Sequence, residues 1–166
     1  MTFERCRQLD DGLRRYIGNW NPAAMNSWLK ELTDVTECIA DGIHRARQND
    51  DWLMFELYVI AASWHPSTLY TRDLCDVLLR HDEEVNYEDI VEALGEIRDP
   101  NAVESLEEAI WWEPRWDEYR QLAIKAAWAL SQIGTPEALA ILEDVSSCGS
   151  EEVREAAQLL LGRGGT

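Results

Sequence analysis

The stretch ALGEIRDPNAVESLE, residues 93–107, returns 36 residues later as ALSQIGTPEALAILE, residues 129–143. Ala93, Leu94, Ile97, Pro100, Ala102, Leu106 and Glu107 recur as Ala129, Leu130, Ile133, Pro136, Ala138, Leu142 and Glu143. Each copy sets a proline between two apolar patterns of helical period. A repeat of this length marks helix pairs that cannot bury their apolar faces alone and so stack into a solenoid. Such stacks present extended surfaces for holding a partner.

The surrounding residues extend the pattern. Tyr87, Ile90, Val91, Leu94 and Ile97 form one helical stripe, and Asp99-Pro100 supplies a cap and a first helical residue for the next. Tyr119–Ile133 is apolar almost all round, as for a helix buried on several sides. Gly134 ends it, and Thr135-Pro136 starts its successor. A third copy opens at Ser150, with Glu151 and Glu152 at the positive end of the helix dipole. There Ala156-Ala157 echoes Ala126-Ala127 at a spacing of 30. The run Trp111-Trp112-Glu113-Pro114-Arg115-Trp116 reads as an insertion that accounts for the longer first interval.

Upstream the phrase fades. Trp52, Phe55, Leu57, Tyr58, Ile60 and Ala61 predict a helix begun by Asp50 or Asp51. Pro66 falls where an inter-helix turn belongs, and Leu69, Leu74, Val77 and Leu78 fit the partner helix. Residues 1–47 form a non-repeating helical cap. One helix there carries Phe3, Leu9, Leu13, Tyr16 and Ile17. Another starts at Asn21-Pro22 and runs on as one helix or breaks into two at Thr33-Asp34, where Asp34 and Glu37 have capping-box spacing. The expectation is a single domain: the cap, helix pairs over 51–162, and a frayed tail over 163–166. Nothing alternates like a strand.

Composition narrows the function classes. Net charge is −17, from 32 acidic and 15 basic side chains. That balance disfavours nucleic acid, whose phosphates need a basic face. It serves either solubility alone or the steering of a basic protein partner. No apolar run approaches the ~18 residues that span a bilayer, and the charged N-terminus lacks a signal-peptide core. The expected location is therefore cytoplasmic. Cys6, Cys38, Cys75 and Cys148 have no CxxC spacing, so a zinc site is unsupported and each is expected to act as a small buried hydrophobe.

The run from about residue 84 to 162 resembles HEAT repeats of the short kind also seen in phycobilin lyase subunits. The resemblance rests on the paired-alanine helices (Ala126-Ala127, Ala156-Ala157), the Asp99-Pro100 and Thr135-Pro136 turns, and Val153-Arg154 at the entry to the last copy. It implies an all-α, right-handed α-solenoid of antiparallel helix pairs, with a concave face lined by the second helices.

Two candidate features follow. Glu104, Glu107 and Glu108 lie off the apolar stripe of their helix, and Glu137, Glu143 and Asp144 do so one repeat later. Stacked second helices would align these into an acidic strip, extended by Asp73 and Asp76, for docking a basic protein. The alternative is an ordinary solvated helix face. Trp111, Trp112 and Trp116 either anchor a partner or fold back to plug the gap between helix pairs. The other tryptophans, Trp20, Trp28, Trp52, Trp64 and Trp128, are expected in the core. His44, His65 and His81 have no metal-ligand spacing, and no nucleophile or phosphate-binding motif occurs. The expected function is non-enzymatic: a scaffold without cofactor that grips a basic protein, in its sharpest form a bacterial immunity or inhibitor protein for a basic toxin. The alternative that the resemblance implies is a lyase-like or chaperone subunit acting on a tetrapyrrole-carrying protein.

Overall fold

Short polar side chains ahead of the apolar runs decide where the helices begin. A computed structural model describes residues 2–82 and 84–163, and among them are ten α-helices and no strand. They are α1 (Thr2–Arg14), α2 (Pro22–Glu31), α3 (Thr36–Gln48), α4 (Trp52–Trp64), α5 (Thr71–Leu78), α6 (Tyr87–Ile97), α7 (Val103–Trp111), α8 (Gln121–Ile133), α9 (Pro136–Cys148) and α10 (Glu151–Arg163). The side chains of Asn21, Asp51, Asn86 and Thr135 accept from the backbone N–H three residues on, satisfying donors that a first helical turn leaves unpaired. Asp99 caps a single 3-10 turn, Pro100–Ala102, which leads into α7.

Several boundaries differ from the sequence expectation for local reasons. The cap region does break between α2 and α3, but Asp34 takes a left-handed backbone (φ 54°), so Val35 stands at the cap and no capping box forms. α8 begins at Gln121, because Arg120 is left-handed at φ 57°. The Ser150 hydroxyl is buried without a hydrogen-bond partner, so it is the backbone carbonyl alone that receives Arg154 N–H. Of the expected tail, Arg163 closes α10, and residues 164–166 lie outside the described residues.

The first helices of successive pairs, α4, α6, α8 and α10, pack on one another in a row. The second helices α5, α7 and α9 form a sparser row behind them. Ala93, Ala126, Ala127 and Ala129 are fully buried between these layers and let the helices approach closely. One apolar core runs from Leu9 and Leu13 in α1 to Val153 and Ala157 in α10. This arrangement is an α-solenoid. The insertion is real: residues 112–120 join α7 to α8, whereas only Gly149 and Ser150 join α9 to α10.

Two expectations are corrected. Cys6 and Cys38 are joined by a disulfide that ties α1 to α3. Widely spaced cysteines gave no sign of this, because helix packing rather than sequence spacing brings them together. Cys75 is buried as expected, and Cys148 is exposed. Trp28, Trp52 and Trp128 pack against the core, but Trp20 and Trp64 are 59% and 40% exposed. Trp20 stands in the α1–α2 turn and Trp64 at the last residue of α4, where neighbours cover one side only.

Candidate partner-binding site

α7 and α9 contain no lysine, arginine or histidine. On α7, Glu104, Glu107, Glu108 and Trp111 fall at i, i+3, i+4 and i+7, the spacing of a single helix face. On α9, Glu143 and Asp144 repeat Glu107 and Glu108 after 36 residues, and Glu137 lies in the first turn. α7 and α9 are neighbours in the second row. Glu104, Glu108, Glu137, Glu143 and Asp144 are exposed and Glu107 is half-buried. Among the described residues, no cationic side chain lies within ion-pair distance of any of the six.

Asp73 and Asp76 on α5 differ. Arg47 donates to Asp73 and lies 3.1 Å from Asp76, and His44 Nδ1 is 3.3 Å from Asp73. Their charge is already compensated, so the uncompensated run is confined to α7 and α9.

The acidic face of α7 ends in the tryptophan loop, and the loop is firmly held. Asp117 is buried, and its carboxylate accepts from Gln121 N at 2.7 Å and Leu122 N at 3.0 Å, capping α8 from outside the helix. The Arg120 guanidinium donates to the carbonyls of Ile110 and Trp112 at 2.8 and 2.9 Å, closing the loop on the end of α7. Trp112 turns inward. Its ring stacks on His81 at 4.0 Å, and its neighbours Tyr87 and Trp116 stand edge-on at 5.1 and 6.1 Å. Trp111 and Trp116 stay 45% and 48% exposed, and Tyr119 is exposed beside them. The two readings of the loop thus divide among its residues: Trp112 plugs, while Trp111 and Trp116 present indole to solvent. Trp116 also borders a cleft of about 460 Å³ with Val85, Asn86, Tyr87 and Arg115.

Asp117, Tyr119 and Arg120 were not singled out from the sequence. Asp117 lies four residues before the helix it caps, beyond the usual capping offset, and Tyr119 fits the apolar pattern that continues into α8. The one legible sign was the proline in a tryptophan-rich connector, which announced a folded loop without revealing its fastenings. Among the described residues, no three His, Cys, Asp or Glu side chains converge to hold a metal ion. The histidines are engaged separately: His44 with Asp73 and Gln48, His65 with the Leu29 carbonyl, His81 with Trp112.

No curated protein matches the chain. A family model described as HEAT repeats matches residues 71–162, more than half of the chain and the whole of the stack from α5 to α10. With the paired helices, the buried alanines and the two aligned rows, that match places the chain in the HEAT-repeat family.

Proposed function

We propose that this protein is a non-enzymatic scaffold that holds a basic protein partner against the α7–α9 face. HEAT repeats suggest protein interaction in general; the carrying observation for a basic partner is the set of six carboxylates with no cation within reach. An acidic face left uncompensated destabilises the free protein by self-repulsion and steers positively charged partners onto it. Half-exposed Trp111 at the end of that face supplies the kind of aromatic anchor that dominates interface energies. The same charge disfavours nucleic acid. The sharpest form of this reading is an immunity or inhibitor protein that covers the basic surface of a toxin. The Cys6–Cys38 disulfide favours an oxidising compartment over the cytoplasm.

The test is capture from the source cells with tagged protein, at low and at high salt. The expected result is recovery of a basic protein at low salt, lost when Glu104, Glu107 and Glu143 are all changed to lysine. If the triple variant recovers the same proteins as the wild type, the acidic face is not the binding surface.

A further inference from the structure

A second surface lies on the first-helix row, away from the acidic face of α7 and α9. A trough of about 640 Å³ crosses α4, α6 and α8, lined by Ser63, Trp64, Glu92, Glu96, Lys125 and Trp128. Its aromatic walls are fixed by packing. The Trp64 indole N–H donates to Asn26 at 3.1 Å, which orients a side chain left 40% exposed. The Trp128 ring packs against α6 at Gly95, where any Cβ would overlap it. Glycine in mid-helix is what lets an indole from the next pair reach the trough.

Acidic side chains outnumber basic ones around the trough. Glu88, Glu92 and Glu96 stand at successive i, i+4 positions along α6, one carboxylate per turn. Lys125 sits across from the first two, 2.9 Å from Glu88 and 2.7 Å from Glu92. Its charge is committed there, and Glu96, exposed beside Trp128, has no cation within ion-pair distance among the described residues. Asp89 and Glu56 add carboxylates behind the ladder. Burial, then the nearby Glu92 charge, pushes Asp89 up to about 6, and burial alone raises Glu56. Indole faces attract cations, a guanidinium most of all because it is planar and weakly hydrated, and a carboxylate at the rim fixes its edge. The trough is part-open to solvent, neither an enclosed cavity nor a flat surface. That shape suits a side chain projecting from an extended polypeptide, which brings its own backbone to cover the opening.

We infer that the trough between Trp64, Trp128 and Glu96 receives an arginine side chain from an extended basic segment of a protein partner. This deepens the reading of a basic partner but does not depend on the α7–α9 face. The probe is a fluorescein-labelled alternating Arg-Gly peptide, titrated by anisotropy. Glu96→Gln and Trp64→Ala are each expected to weaken binding by about tenfold, the scale of one cation–π or charge-assisted contact. An Asp11→Asn variant, at an exposed carboxylate on α1 that is unpaired among the described residues, is expected to bind as the wild type does. In a parallel NMR titration, the indole N–H signals of Trp64 and Trp128 should shift while that of Trp20 stays still. Glu96→Gln changes an exposed, unpaired side chain, so its effect is readable even where Trp64→Ala loosens α4. Wild-type affinity in Glu96→Gln with unmoved Trp64 and Trp128 signals overturns the inference. Loss of binding in a Glu104→Gln, Glu143→Gln variant, with Glu96→Gln unaffected, overturns it too, while leaving the acidic-face reading intact. Absence of peptide binding by the wild type also defeats the trough, and capture of the basic partner then still stands as the separate test of the face.

Discussion

Three glycines inside helices each receive an aromatic ring from a neighbouring helix: Gly12 takes Trp28, Gly42 takes Tyr58 and Gly95 takes Trp128. Mid-helix glycine costs roughly 0.5–1 kcal/mol relative to alanine, so its presence three times calls for a return, and close helix approach provides it. Replacing Gly95 by alanine gains that propensity but forces the Trp128 ring aside, an overpacking cost of about 1–3 kcal/mol. The expected net effect is destabilisation by about 1 kcal/mol, seen as a lower urea midpoint. Gly162, where a Cβ would meet nothing within 4 Å, provides the contrast. Gly162→Ala should stabilise by a few tenths to about 1 kcal/mol in the same assay. The signal for these contacts was present in the sequence, since an isolated glycine within a helical pattern marks close packing. Which ring fills each gap was not legible, because the partners come from other helices.

Among the elements, α6, α9 and the turn into α7 were read accurately because their start signals are local: Asn86, Thr135-Pro136 and Asp99-Pro100 act within three residues of themselves. α8 was misplaced at its start because its cap, Asp117, works across a left-handed turn at Arg120. In the site, the acidic stripe on α7 and α9 was legible from periodicity alone. The division of the tryptophans was not, since it depends on His81 and Tyr87, far away in the sequence. The start of α6 also carries a pH dependence. Asp89 is pushed up to about 6 from an ordinary value of 3.8, by burial first and then by Glu92. Between pH 4 and 6 the folded protein therefore holds a proton that the unfolded chain has released. This contribution favours folding below that window and is lost as pH rises through it. The expected urea midpoint is higher at pH 5 than at pH 7, and Asp89→Asn should reduce the difference. Asp10 works in the opposite sense. Burial raises it, but hydrogen bonds from Arg14 and Tyr58 outweigh burial and hold it below the usual range. Its stabilisation persists down to acid pH and is lost only as pH falls through that lowered value, which separates it from Asp89.

For the whole molecule, the 36-residue echo was enough to establish the stack, because repeated pairs must bury the same faces in the same way. The insertion that distinguishes 36 from 30 was also legible. The disulfide was not, and neither was the trough across α4, α6 and α8, since both come from register between separate helices. Cys6 and Cys38 are 32 residues apart, and closing a loop of that length is worth about 3–4 kcal/mol through the unfolded chain. Reduction, or a Cys6→Ser, Cys38→Ser variant, should lower the melting temperature and speed amide exchange in α1 more than in α8.

That covalent tie makes α1 and α10 unequal. α1 is locked to α3; in α10, among the described residues, only Val153 and Ala157 are deeply buried, and Leu159 is 63% exposed. In a stack where each pair leans mainly on its neighbours, helices can open separately. α10 should therefore release its amides to exchange before α1 does. The acidic face on α9 adjoins α10, and a partner seated there would act as its clasp.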